Sequence, residues 1–125
     1  MEPRCILVVD DDDGIRTMLA DLFREEGYEV KTAVDGRQAL EYVRRDNFDV
    51  VLLDMAMPVM DGWQLARVLD DSAIDVPLVA MTAARSSAVL AKEVRAAAYL
   101  TKPFDIDTVL STVERVVQSN EEKRG

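Results

Sequence analysis

Five short strand-like runs, four of them apolar and each followed by a stretch with helical periodicity, constrain this chain more than any other feature. The runs are Cys5-Ile6-Leu7-Val8-Val9, residues 29–33, Val50-Val51-Leu52-Leu53-Asp54, Val76-Pro77-Leu78-Val79-Ala80-Met81 and residues 97–101. The third is apolar up to its last residue, as expected of a strand covered on both faces. After the first run, Ile15, Met18, Leu19, Leu22 and Phe23 recur at helical spacing, with Asp12 as the N-cap and Gly27 as the stop. Asp35-Gly36 opens a second helix with Ala39, Leu40 and Val43 inward, and Asp61 caps a third that runs to about Asp70. Residues 86–96 read as a helix of small residues. Ile106, Val109, Leu110, Val113, Val116 and Val117 make the apolar stripe of the last one. Strand then helix, five times over, implies an α/β fold, a doubly wound parallel sheet with helices on both faces. Ligands of such sheets bind beyond the carboxyl ends of the strands.

Four of the runs stop at that edge on a residue able to handle a phosphoryl group. The first meets Asp10-Asp11-Asp12-Asp13, the third ends at Asp54, the fourth at Thr82, and the fifth at Lys102-Pro103-Phe104. Singly, each has an ordinary explanation. Asp12 or Asp13 is a helix cap, Thr82 a β-branched strand end, Lys102 a solvated lysine, and Tyr99 an amphipathic strand residue. Trp63 reads as packing, and Met55, Met57 and Met60 as flexible core filler. Jointly they describe a site. Adjacent carboxylates beside a buried sheet repel one another and lose hydration, which a bound cation relieves. With Asp54 added, Asp10 and Asp11 suit a hard ion such as Mg²⁺, which takes oxygen ligands. Asp54 beside such an ion is a nucleophile able to attack phosphorus, with Lys102 and Thr82 sharing the phosphoryl charge.

Composition closes other routes. The 125 residues make one domain, read here as 3–119 with a charged tail over 120–125; the segment from 118 onward is expected to fray. A net charge of −9, from 24 acids against 15 bases, opposes binding to nucleic acid or an anionic membrane. No apolar stretch reaches a membrane span and Met1-Glu2-Pro3-Arg4 is no secretory leader, so the expected location is cytoplasmic. The lone Cys5, expected to be buried, forms no intramolecular disulfide. The absence of histidine removes His metal sites, His general bases and phosphohistidine carriers.

On these residues the chain resembles a response-regulator receiver domain, the CheY-like module of two-component signalling. The resemblance rests on Ile6-Leu7-Val8-Val9-Asp10-Asp11, on Leu53-Asp54-Met55-Ala56-Met57-Pro58-Val59-Met60-Asp61-Gly62, on Met81-Thr82-Ala83, and on Tyr99-Leu100-Thr101-Lys102-Pro103-Phe104. It implies a flavodoxin-like sheet of order 2-1-3-4-5 and a cis Lys102-Pro103 bond. It implies that Asp54 accepts a phosphoryl group from a phosphohistidine on a sensor histidine kinase or a histidine phosphotransfer protein. Mg²⁺ would be held by Asp11, Asp54 and the backbone carbonyl of Ala56, with Asp10 acting through water. Lys102 would pair with the phosphoryl group, Thr82 move toward it, and Tyr99 change rotamer. The surface of the fourth helix, fifth strand and fifth helix would then signal to a downstream protein. Such a chain is a phosphoacceptor switch, a monomer or transient homodimer, rather than a turnover enzyme. With no output domain in these residues, it acts through a partner or belongs to a longer regulator.

Three departures from the family pattern stand out. Ala56 and Ala84, two residues after Asp54 and Thr82, offer no side chain to orient a hydrolytic water, so self-dephosphorylation is expected to be slow. The stretch from Thr82 to Lys102 is about two residues short, with Arg95-Ala96-Ala97-Ala98 where a glycine turn is usual. Two alternatives remain at this point. One is a phosphorylation-independent binding or dimerisation module. The other is a haloacid-dehalogenase-type phosphatase, whose opening motif Asp11-Asp12-Asp13-Gly14-Ile15 resembles and whose nucleophile would be Asp11.

Overall fold

The computed structural model describes residues 3–55, 62–72, 74–83 and 96–124. Its elements are β1 (Cys5–Val9), α1 (Asp13–Glu25), β2 (Glu29–Ala33), α2 (Gly36–Arg45), β3 (Val50–Asp54), α3 (Gly62–Asp71), β4 (Leu78–Ala83), β5 (Ala98–Lys102) and a C-terminal helix (Ile106–Arg124). The five strands form one parallel sheet in the order β2-β1-β3-β4-β5, as expected. The expected helix over 86–96 and loop over 57–61, with the Asp61 cap, lie outside the described residues.

The strict alternation of strand side chains divides the core in two. Leu7, Val9, Val51, Leu53, Leu78 and Ala80 face one way, against Ala39, Leu40 and Val43 of α2 and Leu65 and Leu69 of α3. Ile6, Val8, Val50, Leu52, Val79 and Met81 face the other, against Leu19 and Phe23 of α1 and Val109, Val113, Val116 and Val117 of the C-terminal helix. This explains why β1 and β3 read as unbroken apolar runs: neither face reaches water.

Local chemistry sets the helix ends. The Asp12 carboxylate accepts from the Ile15 N–H at 3.0 Å and that of Asp35 from the Gln38 N–H at 2.9 Å, each a side-chain N-cap. Gly27, at φ 92°, takes the left-handed turn that ends α1. The Lys102-Pro103 peptide is cis.

Several expectations shift. β4 spans Leu78–Ala83 rather than 76–81, because Pro77 has no N–H for the ladder; its carbonyl instead accepts from Val51 N–H at 2.9 Å. β5 likewise spans Ala98–Lys102, one residue beyond expectation. Thr82 and Lys102 therefore stand on the last rungs of the sheet rather than past it. The segment expected to fray is helical through residues 118–124, and Arg4 grips Glu121 through two bonds of 3.1 and 3.0 Å. Cys5 is only half-buried; burial pushes its thiol pKa up, reinforced by Glu29 and Asp49. No described helix is long and apolar enough to cross a membrane.

Candidate functional site

Strand register brings the acidic residues together. Val9 pairs with Leu53, so Asp10 and Asp54, each the next residue along, meet at the carboxyl edge of the sheet. Asp54 is in register with Met81, Thr82 with Thr101, and Ala83 with Lys102, which sets the hydroxyl and the ammonium along the same edge. Asp10 is fully buried, and Asp54 and Thr82 nearly so. Asp10, Asp11 and Asp54 each present a carboxylate oxygen, and these three atoms lie within 4.8 Å of one another.

Among the described residues, one ammonium serves this cluster. Lys102 Nζ donates to Asp10 Oδ2 at 3.0 Å and stands 3.6 Å from Asp54 Oδ1. Partial burial works to lower the pKa of the lysine, but the Asp10 hydrogen bond and the charges of Asp10 and Asp54 outweigh it, and the ammonium is held above its ordinary value. Three carboxylates against one ammonium leave the pocket short of positive charge. A divalent cation matches that deficit, and an all-oxygen donor set suits a hard ion. The residues present therefore fit a metal of the Mg²⁺ type.

The four consecutive aspartates have four different surroundings. Asp10 is taken by Lys102 and, through Oδ1, by the Asp12 N–H at 2.9 Å. Asp12 caps α1, and Asp13 forms an ion pair with Arg16. Asp11 is exposed, as Asp12 and Asp13 are, but alone of the four enters none of the described hydrogen bonds or ion pairs, and it turns an oxygen toward Asp10 and Asp54. Tyr99 lies on β5 with 43% of its surface exposed. Ala56, whose carbonyl was expected among the metal ligands, and Ala84 lie outside the described residues. Sequence reasoning overlooked Arg16. Its guanidinium reaches back over the acidic turn, Nη1 donating to the backbone carbonyl of Asp10 at 2.9 Å and Nη2 to Asp13. Its position three residues after Asp13, on the first turn of α1, is the signal that points to it.

Residues 6–114 match the family model described as the response regulator receiver domain. The chain belongs to that family. As a receiver domain it is similar to sporulation initiation phosphotransferase F of Bacillus subtilis, at 38% identity over 112 residues covering 88% of this chain and 90% of the relative. It is similar to the transcriptional regulatory protein ZraR of Escherichia coli, at 44% identity over 114 residues, 90% of this chain but 26% of ZraR. Against response regulator MprA of Mycolicibacterium vanbaalenii the identity is 36%, over 93% of this chain and 51% of MprA. Two of these three relatives are thus much longer than the receiver they share with this chain. Among solved structures, the chemotaxis response regulator CheY4 of Vibrio cholerae superposes with a TM-score of 0.85 at 35% identity, covering 92% of this chain and 99% of CheY4. Response regulator TrrA of Thermotoga maritima, in complex with Mg(2+)-BeF, gives a TM-score of 0.81 at 32% identity over 90% and 98% of the two chains. The match assigns this protein to the receivers of two-component systems and leaves the haloacid-dehalogenase and phosphorylation-independent alternatives without support.

Proposed function

We propose that this receiver domain accepts a phosphoryl group on Asp54 and relays the event through its surface to a partner. The observation that carries the proposal is the placement of Asp54: nearly buried at the end of β3, within a triad of carboxylates, and 3.6 Å from an ammonium. A carboxylate so placed is poised to attack phosphorus. In the transfer, the phosphorus–nitrogen bond of a partner's phosphohistidine breaks and a bond to an Asp54 carboxylate oxygen forms. The leaving nitrogen keeps the electron pair of the broken bond, and the imidazole, already protonated on its other nitrogen, departs neutral. The phosphoryl donor is a sensor histidine kinase or a histidine phosphotransfer protein.

Mg²⁺, when bound, neutralises charge on the transferred phosphoryl group. Asp11 and Asp54 would hold it directly with the Ala56 carbonyl, which lies outside the described residues, and Asp10 would act through water. That TrrA of Thermotoga maritima, to which this chain is similar, is in complex with Mg(2+)-BeF supports Mg²⁺ as the ion. Lys102 is already charged and aimed at the acceptor, so it binds the incoming anion without first gaining a proton. Thr82, nearly buried on the next rung, supplies a hydroxyl to the same anion. Thr82 moves toward the phosphoryl group, and the exposed Tyr99 ring changes rotamer. This changes the surface of the segment 86–96, β5 and the C-terminal helix that a downstream protein reads. The domain is a timed carrier rather than a turnover enzyme, working in the cytoplasm.

Acetyl phosphate with Mg²⁺ tests the assignment. Intact mass should show one phosphate adduct on the wild type and none on Asp54→Asn. An adduct that survives in the variant would move the acceptor elsewhere, and Asp11 would be the next to test. Because Ala56 and Ala84 carry no polar group to orient water, the adduct should decay slowly. A half-life of seconds in Mg²⁺ without a phosphatase would refute that expectation.

A further inference from the structure

We infer that Arg16 is a positioning residue for the acidic site, holding Asp11 where a divalent cation can use it. The inference rests on the cation-dependent reading above. Asp11 engages no described partner through its own carboxylate, so its place is set by the two peptide groups that flank it. The carbonyl of Asp10 belongs to the peptide joining Asp10 to Asp11, and Arg16 Nη1 fixes it at 2.9 Å. The N–H of Asp12 belongs to the peptide joining Asp11 to Asp12, and Asp10 Oδ1 fixes it at 2.9 Å. Asp10 is itself anchored, its N–H donating to the Ala33 carbonyl at 3.2 Å and its Oδ2 accepting from Lys102. Arg16 is the one side chain among the described residues that grips the first of these peptides.

The fork of the guanidinium suits the task. One nitrogen holds the carbonyl while the other pairs with Asp13, so a single rigid group ties the start of the turn to the first residue of α1. The side chain is only 16% exposed, against 87% for Asp13, and is held more by the turn than by solvent. A lysine keeps the charge but cannot span both contacts in one plane. Without the fork, four neighbouring carboxylates push the turn apart and Asp11 drifts from Asp10 and Asp54.

Charge and position make opposite forecasts, which gives the test its force. Removing a cation from beside an acidic cluster strengthens Mg²⁺ binding on electrostatic grounds alone. Losing the brace weakens it. Isothermal titration calorimetry with Mg²⁺ on wild type, Arg16→Lys and Arg16→Gln should show affinity falling by about tenfold in both variants, the effect typical of outer partners of metal ligands. Amide hydrogen exchange on the metal-free proteins gives a second readout: the Asp12 N–H should exchange faster in both variants while the core of α1 stays protected. Arg16→Lys binding as tightly as wild type, Arg16→Gln binding more tightly, or unchanged exchange at Asp12 would each overturn the inference. A wild type that binds no Mg²⁺ would instead refute the cation-dependent function, and the exchange comparison would still decide the role of Arg16.

Discussion

Replacing Asp54 by Asn should stabilise the metal-free protein even as it abolishes its proposed activity. Asp54 shares a 4.8 Å neighbourhood with Asp10 and Asp11. At an effective dielectric of about 20, each such pair repels by about 3.5 kcal/mol. Against this stands the attraction to Lys102 at 3.6 Å, of about 4.6 kcal/mol on the same scale. These two repulsions exceed the Lys102 attraction by roughly 2 kcal/mol, and solvent at the exposed Asp11 and at Lys102 reduces that to about 1 kcal/mol. Asn keeps the shape of the side chain and leaves the Asp10–Lys102 pair in place. Urea unfolding in EDTA should therefore give the variant a higher midpoint, with a Tm raised by about 4 °C for a domain of this size. The gap should shrink as salt is added. Millimolar Mg²⁺ should narrow or reverse the order, because only the native wild type gains fully from binding. A metal-free Asp54→Asn protein less stable than wild type would show that Lys102 and the other contacts of Asp54 outweigh both neighbouring carboxylates. The charge-deficit argument for a divalent cation would then fail.

Lys102 makes the pH dependence one-sided. Its folded pKa lies above the ordinary 10.5, so its contribution is complete below that value and is lost as pH rises through the folded one. Urea midpoints should fall in that alkaline window, and Lys102→Met should flatten the fall. Phe23, fully buried and edge-on to Tyr28 at 5.3 Å, should cost about 3–5 kcal/mol when cut to Ala; a loss under 1 kcal/mol would mean α1 is not clamped to the sheet through it. Glu121→Ala should cost under about 1 kcal/mol, as a solvent-exposed pair does, yet let the amides of the last helical turns exchange faster. Unchanged exchange there would show that Arg4 does not hold the end of the helix.

Much of this was legible in the sequence because buried parallel strands leave a simple mark. β1, β2 and β3 fall where their apolar or alternating runs predict. The Asp12 and Asp35 caps and the Gly27 stop sit at their expected places because each meets a local backbone need that the chain cannot avoid. The offsets in β4 and β5 arise where a run is ambiguous. Val76 has the composition of a strand residue, but Pro77 cannot donate to a neighbour, and pairing begins one residue later. Periodicity also overstates burial at helix margins. Met18 and Ile106 belong to apolar stripes yet are 40% and 53% exposed, because a stripe gives the direction of a residue and not the reach of the sheet it faces. The tail misled for the opposite reason. Its charges look solvated, and one of them, Glu121, is instead half of a contact spanning nearly the whole chain.

The four aspartates show where sequence reasoning stops and why. As letters they are identical, and spacing alone separates only Asp12, by its place before a helix. What distinguishes the rest is the partner each finds: a lysine 92 positions away for Asp10, an arginine one helical turn on for Asp13, and none of the described groups for Asp11. The site thus works by subtraction. Three carboxylates are tied down by structural duties, and the fourth is left facing the pocket, with its backbone braced on both sides. An arginine on α1 is an ordinary surface residue to any reading that counts charges. It becomes part of the site only because the peptide it holds is the one from which Asp11 hangs.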